Sequence, residues 1–149
     1  MYGYVEDSNE VIDIFGLSKS MAGKAQARAI AKAKKIRELP ISQQPTVVSA
    51  AVSRKTGRVY YGESGVQPEK ISAKLKKQMD SNPMSRPMNN CAEFDAVNKA
   101  ALKGEKLSDL DVYTVEVKTL DPWERCANCK VSTDGVHSKS DSDAKKPHH

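Results

Sequence analysis

Between Thr46 and Gly65 the chain reads TVVSAAVSRKTGRVYYGESG. Two runs rich in β-branched and aromatic residues flank Arg54-Lys55-Thr56-Gly57, whose last three residues supply a turn, and this pattern predicts a β-hairpin. A second run, LDVYTVEVKT at 110–119, alternates Val112, Thr114, Glu116 and Lys118 with Tyr113, Val115 and Val117, which is the period of a strand. Helical periods surround these runs. From Ser18 to Leu39 the residues Ala22, Ala25, Ala29, Ile30, Ala33 and Ile36 repeat at helical spacing, and Pro40 ends the segment. A second helix is expected over PEKISAKLKKQM, with Ile71, Leu75 and Met79 on one face, and a third from Cys91 to about Lys103, stopped by Gly104. Phe94, Val97, Ala101 and Leu102 form the third helix's expected buried stripe. Residues 80–90 carry Pro83, Pro87 and three asparagines and read as a loop. KVSTDGVHS allows one more short strand, and 138–149 is polar and expected to be mobile. This order predicts an α/β fold in which a sheet is covered by helices.

At 149 residues the chain suits one domain with a real core. It holds no run of eighteen apolar residues, so no membrane span is expected, and its start lacks the pattern of a signal peptide. Lys and Arg outnumber Asp and Glu by 24 to 19, a net charge of +5, which favours a polyanionic partner. The cations concentrate on two helices, as Lys24, Arg28, Lys32, Lys34, Lys35 and Arg37 on the first and Lys70, Lys74, Lys76 and Lys77 on the second. Together with Arg54 and Lys55 in the hairpin turn, these residues suit either a groove that follows phosphates or a solvated outer face.

The three cysteines fall in two short stretches, NCAE at 90–93 and PWERCANC at 122–129. An odd number clustered this way argues against a disulfide framework and for metal or nucleophilic chemistry. A catalytic zinc takes three protein ligands and keeps one position open for water. Cys91, Cys126 and Cys129 supply three ligands, with Cys126 and Cys129 three apart on a helical turn. Glu93, two residues from a ligand, is placed to act as a general acid and base. Other accounts use the same residues. Asn90 and Glu93 fit a helix-capping pair, His137 supplies a fourth ligand for a closed structural zinc site, and the cysteines also suit small buried apolar positions.

Cys-Ala-Glu on a helix, then a strand, then a cysteine pair at the next helix resembles the zinc-dependent cytidine deaminase superfamily, whose signature is (His/Cys)-x-Glu followed by Pro-Cys-x-x-Cys. The resemblance covers about residues 44–137. NNCAEFDAVNKA and PWERCANC look most like the bacterial polymorphic-toxin deaminases, including those that act on cytosine in single-stranded DNA. Residues 1–17 resemble the end of an Rhs-type toxin core, with Asp13-Ile14-Phe15-Gly16-Leu17 in place of a DPxGL-like motif.

The likeness implies a cytidine-deaminase-like α/β/α sandwich with a mixed sheet of four to five strands and a shortened C-terminus. Residues 1–17 would be a remnant of the toxin core or linker, 18–137 the deaminase domain and 138–149 a tail. It implies Zn2+ on Cys91, Cys126 and Cys129, and conversion of cytosine to uracil by attack of zinc-activated water at C4. Glu93 would shuttle the protons. The implied setting is a secreted effector delivered into the cytoplasm of a target bacterium, with a parent toxin core, a secretion machinery and a cognate immunity protein as partners. Two features depart from the pattern: Pro122 is separated from Cys126 by three residues, and only twenty residues follow Cys129.

For the substrate, Asn89 and Asn90 are the candidates for bonding base or ribose, and Asn90 serves equally as a helix cap. Trp123 is the candidate for stacking on a base, or else a core plug. Arg54, Lys55, Lys74 and Lys77 are the candidates for contacting nucleic acid. The same chemistry on duplex DNA, RNA or a free nucleotide, and a non-enzymatic zinc module that binds nucleic acid or protein, are the rival expectations.

Overall fold

The computed structural model of the chain describes residues 17–66, 69–80, 91–125 and 127–144. Its elements, in order, are α1 (Leu17–Ile36), β1 (Val47–Ser53), β2 (Val59–Glu63), α2 (Ala73–Asp80), α3 (Ala92–Leu102), β3 (Leu110–Glu116), α4 (Ala127–Ser132), β4 (His137–Ser138) and α5 (Lys139–Asp143). The strands form one mixed sheet in the order β2-β1-β3-β4. β1 is antiparallel to both neighbours, pairing Ala50 with Tyr61 and with Tyr113, while β4 runs parallel to β3. The hairpin closes at Gly57, whose φ of +77° suits a residue without Cβ. The fold is α/β, with helices on both faces of the sheet.

Strand alternation assigns each face its core. Val48, Ala50 and Val52 of β1 and Tyr113 and Val115 of β3 pack against Ala25, Ala29, Ala33 and Ile36 of α1. The small alanines let α1 lie close to the sheet. Ala51 and Val112 point the other way, into a cluster with Leu75, Phe94, Ala96, Val97 and Ala100. Leu75 is completely buried; a side chain of this size contributes about 1.5–3 kcal/mol when removed from water. No helix among the described residues is long and apolar enough to cross a membrane.

Cations of α1, and Arg37 just after it, are spent on the fold. Arg37 donates to the carbonyls of Val117 and Lys118 at 2.7 and 2.6 Å, Lys24 donates to the Gly57 carbonyl at 3.1 Å, and Lys32 sits 5.2 Å from the centre of the Tyr61 ring. These contacts tie the helix down around its apolar stripe.

The structure corrects four expectations. Leu102 is 40% exposed, although it was expected in the stripe of α3. That helix is instead buried over almost its whole first two turns, including Glu93, Asp95 and Asn98, because the sheet, α2 and α4 surround it. Asp95 and Asn98 find partners there. Asp95 accepts the Glu63 N–H, and Asn98 accepts the Ser72 N–H while donating to the Lys70 carbonyl. The second helix starts at Ala73, with Ser72 bonded to the Leu75 N–H, rather than at Pro68. β3 ends at Glu116, short of Thr119, where Leu120 turns the chain at φ +67°. Residues 139–143, expected within a polar tail, form α5, which docks on β3. There the Ser140 hydroxyl accepts the Thr114 N–H and Asp143 accepts the Tyr113 hydroxyl. The expected 80–90 loop lies outside the described residues apart from Asp80, which closes α2.

Candidate metal centre

α3 starts directly after Cys91, which is its N-cap residue. The aligned amide dipoles of the helix favour negative charge at that position, and so a thiolate. Cys129 lies on α4 and is wholly buried against the underside of α3. One ligand atom from each of Cys91, Glu93 and Cys129 falls within 4.8 Å of the other two, a grouping able to hold a metal ion. The two sulfurs touch as in a disulfide, yet their Cα atoms are 7.1 Å apart. Disulfides usually close over 4.4–6.8 Å. The same two thiols, when reduced, are the ones that could share an ion with Glu93. Cys126, the third expected ligand, lies outside the described residues, as do Asn89 and Asn90.

Glu93 is 3% exposed, and its Oε2 has no hydrogen-bond partner among the described residues. Burial raises its pKa above the ordinary carboxylate range; hydrogen bonds with Thr114 and its own N–H and the attraction of Arg125 act in the opposite sense. A buried acceptor left without a donor is costly, so Oε2 faces a position suited to a ligand or a proton. Beneath it lies a small polar layer on the sheet. Thr114 donates to Ser49 at 2.9 Å, and Ser49 donates to the Tyr113 carbonyl. Thr114 follows Leu110 and Val112 on the face of β3 turned toward α3, and it is the polar residue at the floor of the site.

The capping account of Glu93 does not hold in this geometry. The N-cap residue is Cys91, no side chain caps it, and Glu93 stands one position too early for the reciprocal bond. His137 does not complete a closed site either. It is exposed on β4, paired with Asp111 on the far side of the sheet edge, and is not among the clustered groups.

The basic candidates separate. Thr56 and Tyr60 both donate to Glu105, just beyond the C-terminus of α3. The hairpin turn with Arg54 and Lys55 therefore lies one helix length from Cys91, about 16 Å for eleven residues. Lys55 is exposed, whereas Arg54 makes a two-pronged bond to Asp111 at 2.7 and 2.8 Å. Asp111→Ala should cost about 1–2 kcal/mol in urea denaturation, at the low end for charged hydrogen bonds because Arg54 keeps some solvent. α1 and α2 cover opposite faces of the sheet, so their cations do not line one groove. Lys74, Lys76 and Lys77 are exposed on α2, which packs beside α3 and α4 on the face of the metal cluster. Trp123 is half-buried rather than a core plug, and its backbone N–H donates to the Thr114 carbonyl.

The sequence reading passed over Arg125 and Asp141. Asp141 accepts from the backbone N–H and from Nε of Arg125, both at 2.9 Å, and Arg125 Nη1 reaches the Thr133 hydroxyl at 2.9 Å. Nothing in a run as polar as SKSDSD marks one aspartate as a partner.

Comparison of the chain with protein-family models, with curated proteins and with solved structures finds no match.

Proposed function

We propose that the chain is a zinc-dependent deaminase that converts cytosine to uracil in single-stranded DNA, as its resemblance to the polymorphic-toxin deaminases implies. One observation supports this reading above the rest: the ligand atoms of Cys91, Glu93 and Cys129 converge within 4.8 Å, and the carboxylate among them is buried with an unpartnered oxygen. A purely structural thiolate site has no need of such a group. Cys91 and Cys129, with Cys126 as the third thiolate, are the residues that would hold the ion. Bound zinc would supply Lewis-acid activation of water.

The chain's own residues account for the rest of the chemistry. Glu93 takes one proton of the water at Oε2 and gives it to N3 of the base, then carries the second from the new C4 hydroxyl to the amino group, which leaves as ammonia as the C4 carbonyl forms. Thr114 and the helix start hold the carboxylate in place, and the surrounding core keeps bulk water away. Trp123 offers a flat partner for an unpaired base, and Lys74 and Lys77 a cationic flank for its phosphates. An excess of five positive charges suits a polyanion better than a free nucleotide.

The test is to incubate the protein with single-stranded DNA, duplex DNA, RNA and free cytidine, and to assay each for uracil, with Glu93→Ala as control. Uracil in the single strand alone is expected. Uracil confined to another substrate moves the assignment to that substrate. A zinc-loaded protein that forms none anywhere is a binding module.

A further inference from the structure

We propose that Arg125 is a positioning residue for the metal site, acting as a clasp that closes the cysteine-bearing turn against the C-terminal helix. The inference rests on the reading of Cys91 and Cys129 as metal ligands and adds a determinant of ion retention that lies outside both cysteine motifs. Arg125 directly precedes Cys126 in the sequence. Its side chain is 12% exposed and spans the turn, bonding Asp141 of α5 on one side and both the hydroxyl and carbonyl of Thr133, just past α4, on the other. Thr133 returns the contact to the ligand. Its N–H and hydroxyl both donate to the Cys129 carbonyl, and the Ser132 hydroxyl points there as well.

The chain thus leaves Arg125, runs through the second cysteine motif, and is fastened back onto Arg125 at Thr133. α4 has only six residues, too few to hold its own geometry, so its orientation must come from outside. The guanidinium fork supplies that orientation, because its planar donors fix direction as well as distance. Asp141 anchors the fork to α5, and α5 is itself held on β3 through Ser140 and Asp143. Polar groups behind metal ligands set their direction, and losing one commonly weakens metal binding 10–100-fold.

The experiment compares full-length wild type with Arg125→Lys, Asp141→Asn and Asp111→Ala. Arg125→Lys keeps the charge and most of the bulk but removes the fork. Asp111→Ala breaks the other Arg–Asp fork, about one helix length away, and controls for general loss of stability. Zinc affinity is read by competition with a chromophoric chelator, at a temperature where far-ultraviolet circular dichroism shows each metal-free variant folded. The clasp predicts zinc binding weaker by about 10–100-fold in Arg125→Lys and Asp141→Asn, and unchanged in Asp111→Ala. Wild-type affinity in the first two variants, or an equal loss in the third, overturns it. If the wild type itself takes up no zinc, the metal reading fails and the clasp fails with it.

Discussion

Glu93→Gln should leave a folded protein that still binds its metal and has lost uracil formation by about 10²–10⁴-fold, the range that a positioned acid and base contributes. The amide keeps the size of the carboxylate and its reach to Thr114, but it cannot take up a proton. The same substitution relieves a cost. A carboxylate 3% exposed with an unpartnered oxygen is unfavourable to bury, so the melting temperature of the variant should be no lower than that of the wild type. An architectural glutamate predicts the reverse pattern, with stability lost and turnover kept. Uracil release, metal content and a thermal melt, measured on one preparation, decide between the two.

Gly62→Ala is expected to be the most damaging glycine-to-alanine change among the described residues. Gly62 lies in β2 where α3 crosses the sheet. A Cβ there would run into the carbonyl of Ala92 and the amide of Ala96, and stand 3.0 Å from the Ala96 Cα. All three obstacles are backbone, so no side chain can swing aside. Overpacking costs about 1–3 kcal/mol when neighbours can yield; against a helix backbone the cost should reach about 3 kcal/mol or more, a large share of the 5–15 kcal/mol typical of a domain. What must move is the first turn of α3, which carries Cys91 and Glu93. Gly62→Ala should therefore lower both the urea midpoint and the zinc content. A variant within about 0.5 kcal/mol of wild type, the usual scatter of surface substitutions, would show that α3 does not sit so close to β2.

The hairpin, the strand at 110–116 and α1 were legible because their signals are local. Alternation, a glycine in the turn and an alanine stripe each act within a few residues. α3 was legible in extent but not in environment. A stripe of apolar positions presumes one buried side, and the crowding by α2, α4 and the sheet buries Glu93, Asp95 and Asn98 as well. Such residues look solvent-facing until Glu63, Ser72 and Lys70 supply their partners from other segments. α5 was missed for a related reason. Its docking is made by Ser140, Asp141 and Asp143 through hydrogen bonds with Thr114, Arg125 and Tyr113, and polar docking leaves no periodic trace. Gly62 gave no warning either, since one glycine in a short strand does not say what approaches it.

At the site, NCAE and CANC are the stretches whose Cys91, Glu93 and Cys129 come together. The basic residues were grouped by charge alone. Only the topology shows that the hairpin turn sits about one helix length from the cluster and that α1 covers the opposite face.

The proposed deaminase needs an ion held by three thiolates with one position left for a small oxygen ligand. X-ray absorption at the zinc edge of the purified, metal-loaded protein measures this directly. Three sulfurs at about 2.3 Å and one lighter atom at about 2.0–2.2 Å are expected, without the scattering pattern of an imidazole. Four sulfurs, a histidine in the fourth position, or a protein that takes up no zinc would contradict it.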